Sequence, residues 1–186
     1  MPLDTQLFFL LNGLAGRSPT IDSLIVFCAT YLAYIIVVAF VLLLAFSSYT
    51  HREKIRVIVI ALAATLIARG VVTEGIRFLY HRPRPFVTYP VHQLIAENSW
   101  SFPSGHSITF FALASAVYFY NKKWGILFFV AAAVIAVSRV VAGVHYPSDI
   151  IGGALLGIGI GYGVFYVAEK CWPASIKSRL SEPKKP

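Results

Sequence analysis

The chain has 186 residues, of which 58% are hydrophobic and 13% are charged. Soluble domains average about 45–50% apolar and about 25% charged residues, so this composition indicates an integral membrane protein. It excludes a secreted disulfide scaffold, a coiled coil, a disordered tail and a nucleic-acid reader, the last despite a formal net charge of +8. In membrane proteins, basic residues concentrate in cytoplasmic loops and at anionic headgroups.

The first apolar stretch, Gln6 to Ala15, is too short to cross the hydrocarbon core, which requires about 20 apolar residues in a helix. Arg17, Ser18 and Pro19 end this stretch. We predict an interfacial or partly inserted helix here, and a sixth, broken span is the alternative. No cleavable signal peptide is expected, because Met1 to Asp4 contains no basic residue.

Five further apolar segments follow, and we predict that each crosses the membrane as a helix. Their limits are residues 25–46, 57–80, 106–120, 124–143 and 150–168. The third is short for a crossing, which indicates that it begins below the membrane surface. The predicted fold class is all-α: a polytopic transmembrane helix bundle of five spans plus an N-terminal interfacial helix. Residues 1–172 are expected to form a single membrane domain, followed by a basic cytoplasmic tail at residues 173–186.

Basic residues between these segments predict their orientation. The clusters are Arg52, Lys54 and Arg56 after the first span, Lys122 and Lys123 after the third, and Lys170, Lys177, Arg179, Lys184 and Lys185 at the end. With five spans, all three clusters lie on one side, which the positive-inside rule assigns to the cytoplasm. The N-terminus, residues 81–105 and residues 144–149 would then face outward from the cell (inner or plasma) membrane.

The last span carries Gly153, Gly157 and Gly161 at four-residue spacing, with Gly159 and Gly163 on a second row. Small residues in such rows allow helix backbones to approach closely in membranes. We interpret them as a packing face rather than a ligand site. No internal repeat or inverted half is evident, which argues against a transporter.

The outward segments are unusually rich in arginine and histidine. They hold Arg77, His81, Arg82, Arg84, Ser104, Gly105, His106, Arg139, His145 and Asp149. Ionisable residues within or beside spans are costly to bury and by default mark functional sites. Because cations outnumber carboxylates, we predict an anion site, and the planar arginine fork matches phosphate oxygens. The alternative is that the arginines extend to lipid phosphates, which fits Arg77 and Arg139 less well because both lie inside spans.

The sequence Pro103-Ser104-Gly105-His106 opens the third span. A Ser-Gly turn at a helix N-terminus leaves backbone N–H groups free, and the helix dipole favours an anion there. His106, in the first turn, can act on that anion as an acid or a base. The alternatives are that Ser104 is only an N-cap and that His106 bonds a backbone carbonyl.

A second polar group runs from Ser138 and Arg139 to His145 and Asp149. Pro147 favours a turn before the last span, which places Asp149 in the first turn of that helix. Asp149 could accept a hydrogen bond from one His145 nitrogen, which fixes the tautomer and leaves the other nitrogen free to attack. The alternative is a plain capping aspartate.

Three blocks therefore occur in order. They are Arg77-x6-Arg84-Pro85, Pro103-Ser104-Gly105-His106 and Ser138-Arg139-x5-His145-x3-Asp149. Together they resemble the tripartite signature of the type 2 phosphatidic acid phosphatase (PAP2) superfamily, which also includes vanadium haloperoxidases. The chain departs from the family at one position, because Arg77 stands where the family usually has lysine. The positive charge is kept, so we expect changed tuning rather than lost activity.

The resemblance implies a role for each matching residue. His145 would be the nucleophile that forms a phosphohistidine, Asp149 would orient it, and His106 would be the general acid. The phosphoryl oxygens would be held by Arg77, Arg84, Ser104, Gly105 and Arg139. No cofactor or metal is implied, and the segments lack the carboxylate cluster that Mg²⁺ would need.

Two charges lie outside the signature, Arg69 near the middle of the second span and Glu74 after it. Glu74 and Arg77 are three residues apart, so they can form a supporting ion pair. For Arg69 we predict a structural partner on another helix, because unpaired charges inside membranes are rare. The alternative is that Arg69 contacts a diphosphate that reaches inward.

The expected substrate is a lipid phosphate of the outer leaflet, because the site lies outward at the membrane edge, where Tyr89 and Trp100 suit the headgroup level. The compact size, the short N-terminal helix and the run of residues 81–86 resemble small bacterial undecaprenyl-diphosphatases, which recycle the cell-wall carrier lipid. Phosphatidate, phosphatidylglycerophosphate and a lipid A phosphate are alternative substrates.

Two alternatives belong to other functional classes. A haloperoxidase could hold vanadate in the same site, but the known haloperoxidases of the family are soluble. A non-catalytic lipid binder or translocator would keep the arginines and would have no need for the pair formed by His145 and Asp149.

Overall fold

A computed structural model of the chain describes residues 1–171, which contain seven helices joined by loops. In chain order these are α1 (Leu3–Asn12), α2 (Pro19–Ala45), α3 (His51–Leu79), α4 (Pro85–Thr88), α5 (Gly105–Tyr120), α6 (Lys122–Val141) and α7 (Pro147–Cys171). α2 and α3 each contain a π-helical turn, at Phe27–Tyr31 and Ile67–Thr73. The predicted basic tail at residues 173–186 lies outside the described residues.

Four helices, α2, α3, α6 and α7, are long and apolar enough to cross a membrane. The remaining predicted span corresponds to α5, whose 16 residues extend about 24 Å at 1.5 Å per residue. Ten of these residues are buried, and α5 packs against α3, α6 and α7. α5 is therefore the central helix of the bundle, which explains why its sequence is apolar on all sides.

Helix α1 is ten residues long, which is too short to cross a membrane. It packs against α6 and α7, where Asn12 Nδ2 donates to the carbonyl oxygens of Val141 at 2.9 Å and His92 at 2.8 Å. Phe8 is fully buried and packs with Val140 and Tyr146. Among the described residues the N-terminal segment supplies no sixth span, so the short-helix interpretation fits the structure.

Capping residues start the helices earlier than the apolar segments suggest. α3 begins at His51 rather than at residue 57, because Thr50 and Glu53 form a capping box. α2 begins at Pro19 rather than at residue 25, since Ser18 caps it and proline is favoured in the first helical position.

Two contacts bring the basic loops to one end of the bundle. Tyr49 Oη donates to the Tyr120 carbonyl oxygen at 3.0 Å, and Arg56 Nη2 lies 2.5 Å from Glu169 Oε1. The described basic residues near this end are Arg52, Lys54, Arg56, Lys122, Lys123 and Lys170. α1 and the loops that precede α5 and α7 lie at the opposite end, which is the separation that the charges predict.

The glycines of α7 divide into a packed row and an open row. A Cβ atom on Gly153 would lie 2.9 Å from Ser107 Cβ, and one on Gly161 would lie 2.6 Å from Ser115 Cβ, both on α5. A Cβ atom on Gly157 would clash with the Ile108 carbonyl oxygen. The packing interpretation holds for this row. A Cβ on Gly159 or Gly163 would meet nothing within 4 Å, so the second row does not contribute to packing within the described residues.

We expect Gly157→Ala to destabilise the protein by about 1–3 kcal/mol, because its new methyl group would force α7 away from the backbone of α5. Gly163→Ala is the matched control, and it should be neutral or stabilising by up to about 1 kcal/mol through higher helix propensity. Thermal unfolding of the purified variants in one detergent measures both. Equal midpoints for the two variants would contradict the packing interpretation.

Candidate active site

The predicted site residues come together at the end of the bundle that holds α1. They are contributed by the end of α3 (Arg77), the loop before α5 (Arg84, Ser104), the start of α5 (Gly105, His106), the end of α6 (Arg139) and the turn into α7 (His145, Asp149). All of them except His106 are buried. The structure thus gathers the eight predicted positions, whose chemical roles remain predictions.

His145 lies at the centre of this cluster and is 1% exposed. Its Nε2 atom is 3.3 Å from Arg84 Nη1, and its Nδ1 atom is 3.4 Å from Asp149 Oδ2. A guanidinium can only donate, so the contact with Arg84 requires a lone pair on Nε2. The ring proton then belongs on Nδ1, facing the carboxylate, and Nε2 has the electron pair that a nucleophile needs.

Asp149 is fully buried and its carboxylate is surrounded by donors. Oδ2 accepts from Ser101 Oγ at 2.5 Å and from the Tyr146 backbone N–H at 2.8 Å, and Oδ1 accepts from Arg82 Nη1 at 2.6 Å. The bond to the Tyr146 N–H is half of a capping box at the start of α7. Asp149 therefore caps the helix and faces His145 at once, so the two interpretations of this residue are compatible.

Arg82 is a supporting residue to which the three sequence blocks assign no role. Besides Asp149, its guanidinium donates to Ser148 Oγ and to Asp4 Oδ2 on α1, both at 2.6 Å. Asp4 also accepts from the Ser148 backbone N–H and side chain. No local pattern could have paired Arg82 with Asp4, because the two residues are far apart in the chain.

Arg84 is held by backbone carbonyl groups on both sides. Its Nε donates to the Ser99 carbonyl oxygen at 2.6 Å, and its Nη1 donates to the Val144 carbonyl oxygen at 2.8 Å. Burial lowers the pKa of Arg84 to about 10, although the nearby Glu97 carboxylate opposes this shift. The guanidinium is therefore still protonated at neutral pH and fixed beside His145.

Glu97 is a second residue that sequence reasoning missed. Its Oε1 atom forms an ion pair with Arg139, and its Oε2 atom lies 3.4 Å from Arg84 Nη2. Burial raises the pKa of this carboxyl, but Arg139 and Arg84 outweigh burial and hold it below its ordinary value, so Glu97 is ionised. A signal was present, because Glu97 is the only acidic residue between Arg82 and Asp149.

The start of α5 carries the remaining predicted contacts. Ser104 Oγ accepts from the Ser107 N–H at 3.5 Å, so Ser104 is the N-cap of α5. Arg77 Nη2 donates to the Pro103 carbonyl oxygen at 3.1 Å, which fixes the arginine beside this turn. Within residues 1–171 the His106 side chain makes no hydrogen bond, and the predicted alternative of a bond to a backbone carbonyl is not observed.

Arg69 extends over the same turn. A Cβ atom on Gly105 would lie 3.2 Å from Arg69 Nε, so the absence of a side chain at Gly105 makes room for this arginine. Arg69 forms an ion pair with Glu74, which also lies 3.7 Å from Arg77 Nη1. The predicted pair of Glu74 with Arg77 is thus present. The prediction that Arg69 has its partner on another helix is wrong, because the π-helical turn brings Glu74, five residues later, onto the same face.

A cavity of about 600 Å³ opens beside the site between α2, α5 and α6. Glu97, His106 and Arg139 line its polar end. Its remaining walls are mostly apolar and aromatic and include Val26, Tyr31, Ala33, Tyr34, Val37 and Phe110. No group of three or more His, Cys, Asp or Glu side chains within residues 1–171 is arranged to hold a metal ion.

Residues 58–173 match the PAP2 superfamily. The chain belongs to this family. It is 32% identical over 170 residues to the bacitracin transport permease protein BcrC of Bacillus licheniformis, and the matched region covers 90% of this chain and 82% of that protein. It is 31% identical over 172 residues to undecaprenyl-diphosphatase BcrC of Bacillus subtilis, and the matched region covers 92% of this chain and 87% of that protein.

The structure of LpxE from Aquifex aeolicus superposes on this PAP2 protein with a TM-score of 0.74 and 28% sequence identity, covering 89% of this chain and 96% of LpxE. Other relatives are named as lipid A phosphatases and as a phosphatidylglycerophosphatase. The family resemblance predicted from the three sequence blocks is confirmed.

The tautomer and charge of His145 give a direct prediction. Burial lowers its pKa to about 4, and Arg84 and Arg139 act in the same direction while Asp149 opposes them. At pH 5 the ring should therefore be about 90% neutral, whereas a histidine with the ordinary pKa of about 6.5 would be about 3% neutral. Nitrogen-15 NMR of histidine-labelled protein measures this, with His145→Gln identifying the signal. A His145 ring that is mostly charged at pH 5 would refute the assignment.

Proposed function

We propose that this PAP2 protein is a metal-independent phosphatase that hydrolyses a lipid diphosphate of the outer leaflet, converting undecaprenyl diphosphate to undecaprenyl phosphate through a phosphohistidine. The observation that carries the proposal is the geometry of His145, whose Nε2 lone pair lies among arginines while Nδ1 faces a buried carboxylate. A lipid binder or translocator has no requirement for this arrangement.

The first step is attack of His145 Nε2 on the terminal phosphorus, which forms the N–P bond as the P–O bond to the lipid phosphate breaks. Asp149 stabilises the positive charge that develops on the ring, as in the triads of hydrolases. His106 gives its proton to the leaving oxygen and then accepts one from the water that hydrolyses the phosphohistidine. The products are the lipid monophosphate and inorganic phosphate.

Buried donors stabilise the charge on the phosphoryl oxygens. Within residues 1–171, the Nε atoms of Arg77 and Arg139 are buried without a hydrogen-bond partner, so each arginine keeps a donor for a ligand. The first backbone N–H groups of α5, beside Gly105, add further donors and the positive end of the helix dipole. Preorganised donors of this kind usually supply the largest part of transition-state stabilisation.

The preference for a diphosphate is supported by Arg69. This arginine lies over Gly105 and next to the cluster formed by Arg77 and His106, where a second phosphate group would add charge. The similarity to a relative named as an undecaprenyl-diphosphatase supports the same substrate. Phosphatidate, phosphatidylglycerophosphate and lipid A phosphates are the alternative substrates.

The outward orientation of the site is supported by the distribution of charge. The described basic clusters lie at the end of the bundle opposite the site, and the positive-inside rule assigns that end to the cytoplasm. This topology includes α5 as a fifth span, and the contacts of α5 with α7 support it. Near the start of α5, Ser107 lies against Gly153. Near its end, the rings of Phe119 and Phe165 stack with their centroids 4.1 Å apart.

The proposal is tested by phosphate release from the purified protein in detergent, with undecaprenyl diphosphate and phosphatidate offered side by side and with EDTA and vanadate in parallel. We expect release that resists EDTA, is inhibited by vanadate and favours the diphosphate. His145→Gln should lower turnover by about a thousandfold or more, as loss of a nucleophile does in other hydrolases. Preference for phosphatidate would overturn the substrate, and absence of release by folded protein would favour the binder.

Arg69→Gln tests the second phosphate position. We expect its KM for the diphosphate to rise about tenfold, because a charged hydrogen bond is lost, while its KM for phosphatidate changes by less than about twofold. Arg52→Gln is the control, since Arg52 is exposed at the opposite end of the bundle. An equal loss for both substrates would show that Arg69 does not distinguish them.

A further inference from the structure

The carboxylate of Glu97 occupies donor groups on two of the arginines that a phosphoryl group would need. One oxygen contacts Arg139 and the other contacts Arg84, both of which are predicted phosphate-binding residues. Each guanidinium is nearly fully buried. Because charge-assisted bonds between arginine and carboxylate resemble those between arginine and phosphate, a substrate phosphate and Glu97 compete for the same groups.

The position of Glu97 relative to the cavity strengthens this conclusion. Ile95, Ala96 and Glu97 line the cavity wall, and Glu97 lies where the apolar part meets His106 and Arg139. A lipid with its chain in the cavity would bring its phosphate to this carboxylate. Glu97 therefore lies between the space that suits the lipid chain and the nucleophile.

The segment around Glu97 is held on both sides rather than along its length. Before it, the Leu94 N–H donates to the Ala142 carbonyl oxygen at 3.1 Å. After it, Ser99 accepts two bonds from Arg84, and the Ser101 N–H donates to the Arg82 carbonyl oxygen at 2.9 Å. Glu97 lies between these anchors in irregular backbone. Its side chain can leave the arginines while the loop remains attached.

We propose that Glu97 is an internal anion that closes the phosphate site and is displaced by the substrate, so that it determines which phosphates bind. This inference rests on the proposed function. The exchange replaces one anion by another and needs no proton transfer, because Glu97 is ionised before and after it. A lipid diphosphate gains contacts with Arg69 and with the cavity that offset the loss of the Glu97 ion pairs. Inorganic phosphate lacks both and is excluded, which favours release of this product.

The test is binding of inorganic phosphate to the full chain in detergent, measured by isothermal titration at pH 7 and low salt. Glu97→Gln keeps the shape of the side chain and removes its charge, so phosphate should bind roughly tenfold or more tightly than to the unmodified protein. Glu169→Gln is the matched control, because it also removes the carboxylate partner of a buried arginine, Arg56, at the opposite end. Its phosphate affinity should equal that of the unmodified protein.

Unchanged or weaker phosphate binding by Glu97→Gln would overturn the proposal, since a residue that only positions the arginines would lower the affinity when neutralised. If this variant does not fold, Glu97→Asp replaces it: the charge is kept with a shorter reach, and phosphate affinity should rise less than tenfold but above that of the unmodified protein. No gain in the folded Asp variant would overturn the proposal in that case.

The outcome is separable from that of the proposed function because the binding experiment requires no turnover. Tighter phosphate binding by the Gln variant, in a protein that releases no phosphate from lipids, would support Glu97 as a competing anion and refute the phosphatase. Lipid phosphatase activity, together with unchanged phosphate binding by the Gln variant, would support the proposed phosphatase and refute the role of Glu97 as a competing anion.

Discussion

A carboxylate without exposed surface has to be surrounded by donors, since a buried charge that loses its partner costs several kcal/mol. Asp149 satisfies this requirement with Ser101, Arg82 and the Tyr146 N–H. Each donor ties a different segment to the start of α7: the loop before α5, the chain after α3, and the turn that contains His145. These bonds fix the carboxylate that faces Nδ1 of His145, and the contact of Arg84 with Nε2, at the opposite edge of the ring, indicates the tautomer.

The same requirement governs the arginines. A buried guanidinium is stable only where carbonyl oxygens or carboxylates accept its bonds, and the protein supplies both without a ligand. Arg84 relies mainly on carbonyl groups, whereas Arg139 relies on Glu97. The arginines are therefore already paired within the protein, and the cluster is not an empty positive pocket.

The sequence predicted the order of the long helices, the separation of the two ends and the eight positions that the fold brings together, because hydropathy, basic clusters and short motifs are local signals. It could not predict the pair of Arg82 with Asp4 or the pair of Glu97 with Arg139, since these join residues of loops to residues of helices that are distant in the chain. Helix starts were misplaced where polar residues formed caps, as at Thr50. The partner of Arg69 was missed for a geometric reason, because the five-residue spacing of a π-helical turn does not occur in a regular α-helix.

Helix α1 has a consequence for how the protein assembles. The four long apolar helices contain the hydropathy that drives insertion into a bilayer, and α1 contributes nothing to their length. Yet α1 supplies Asp4, the second carboxylate that neutralises Arg82 beside Asp149, and Asn12, which joins α6 to the loop at His92. Membrane integration and completion of the polar cluster thus depend on different parts of the chain. A polypeptide lacking its first dozen residues would keep the four long apolar helices, but Arg82 would lose one of the two carboxylates that neutralise it.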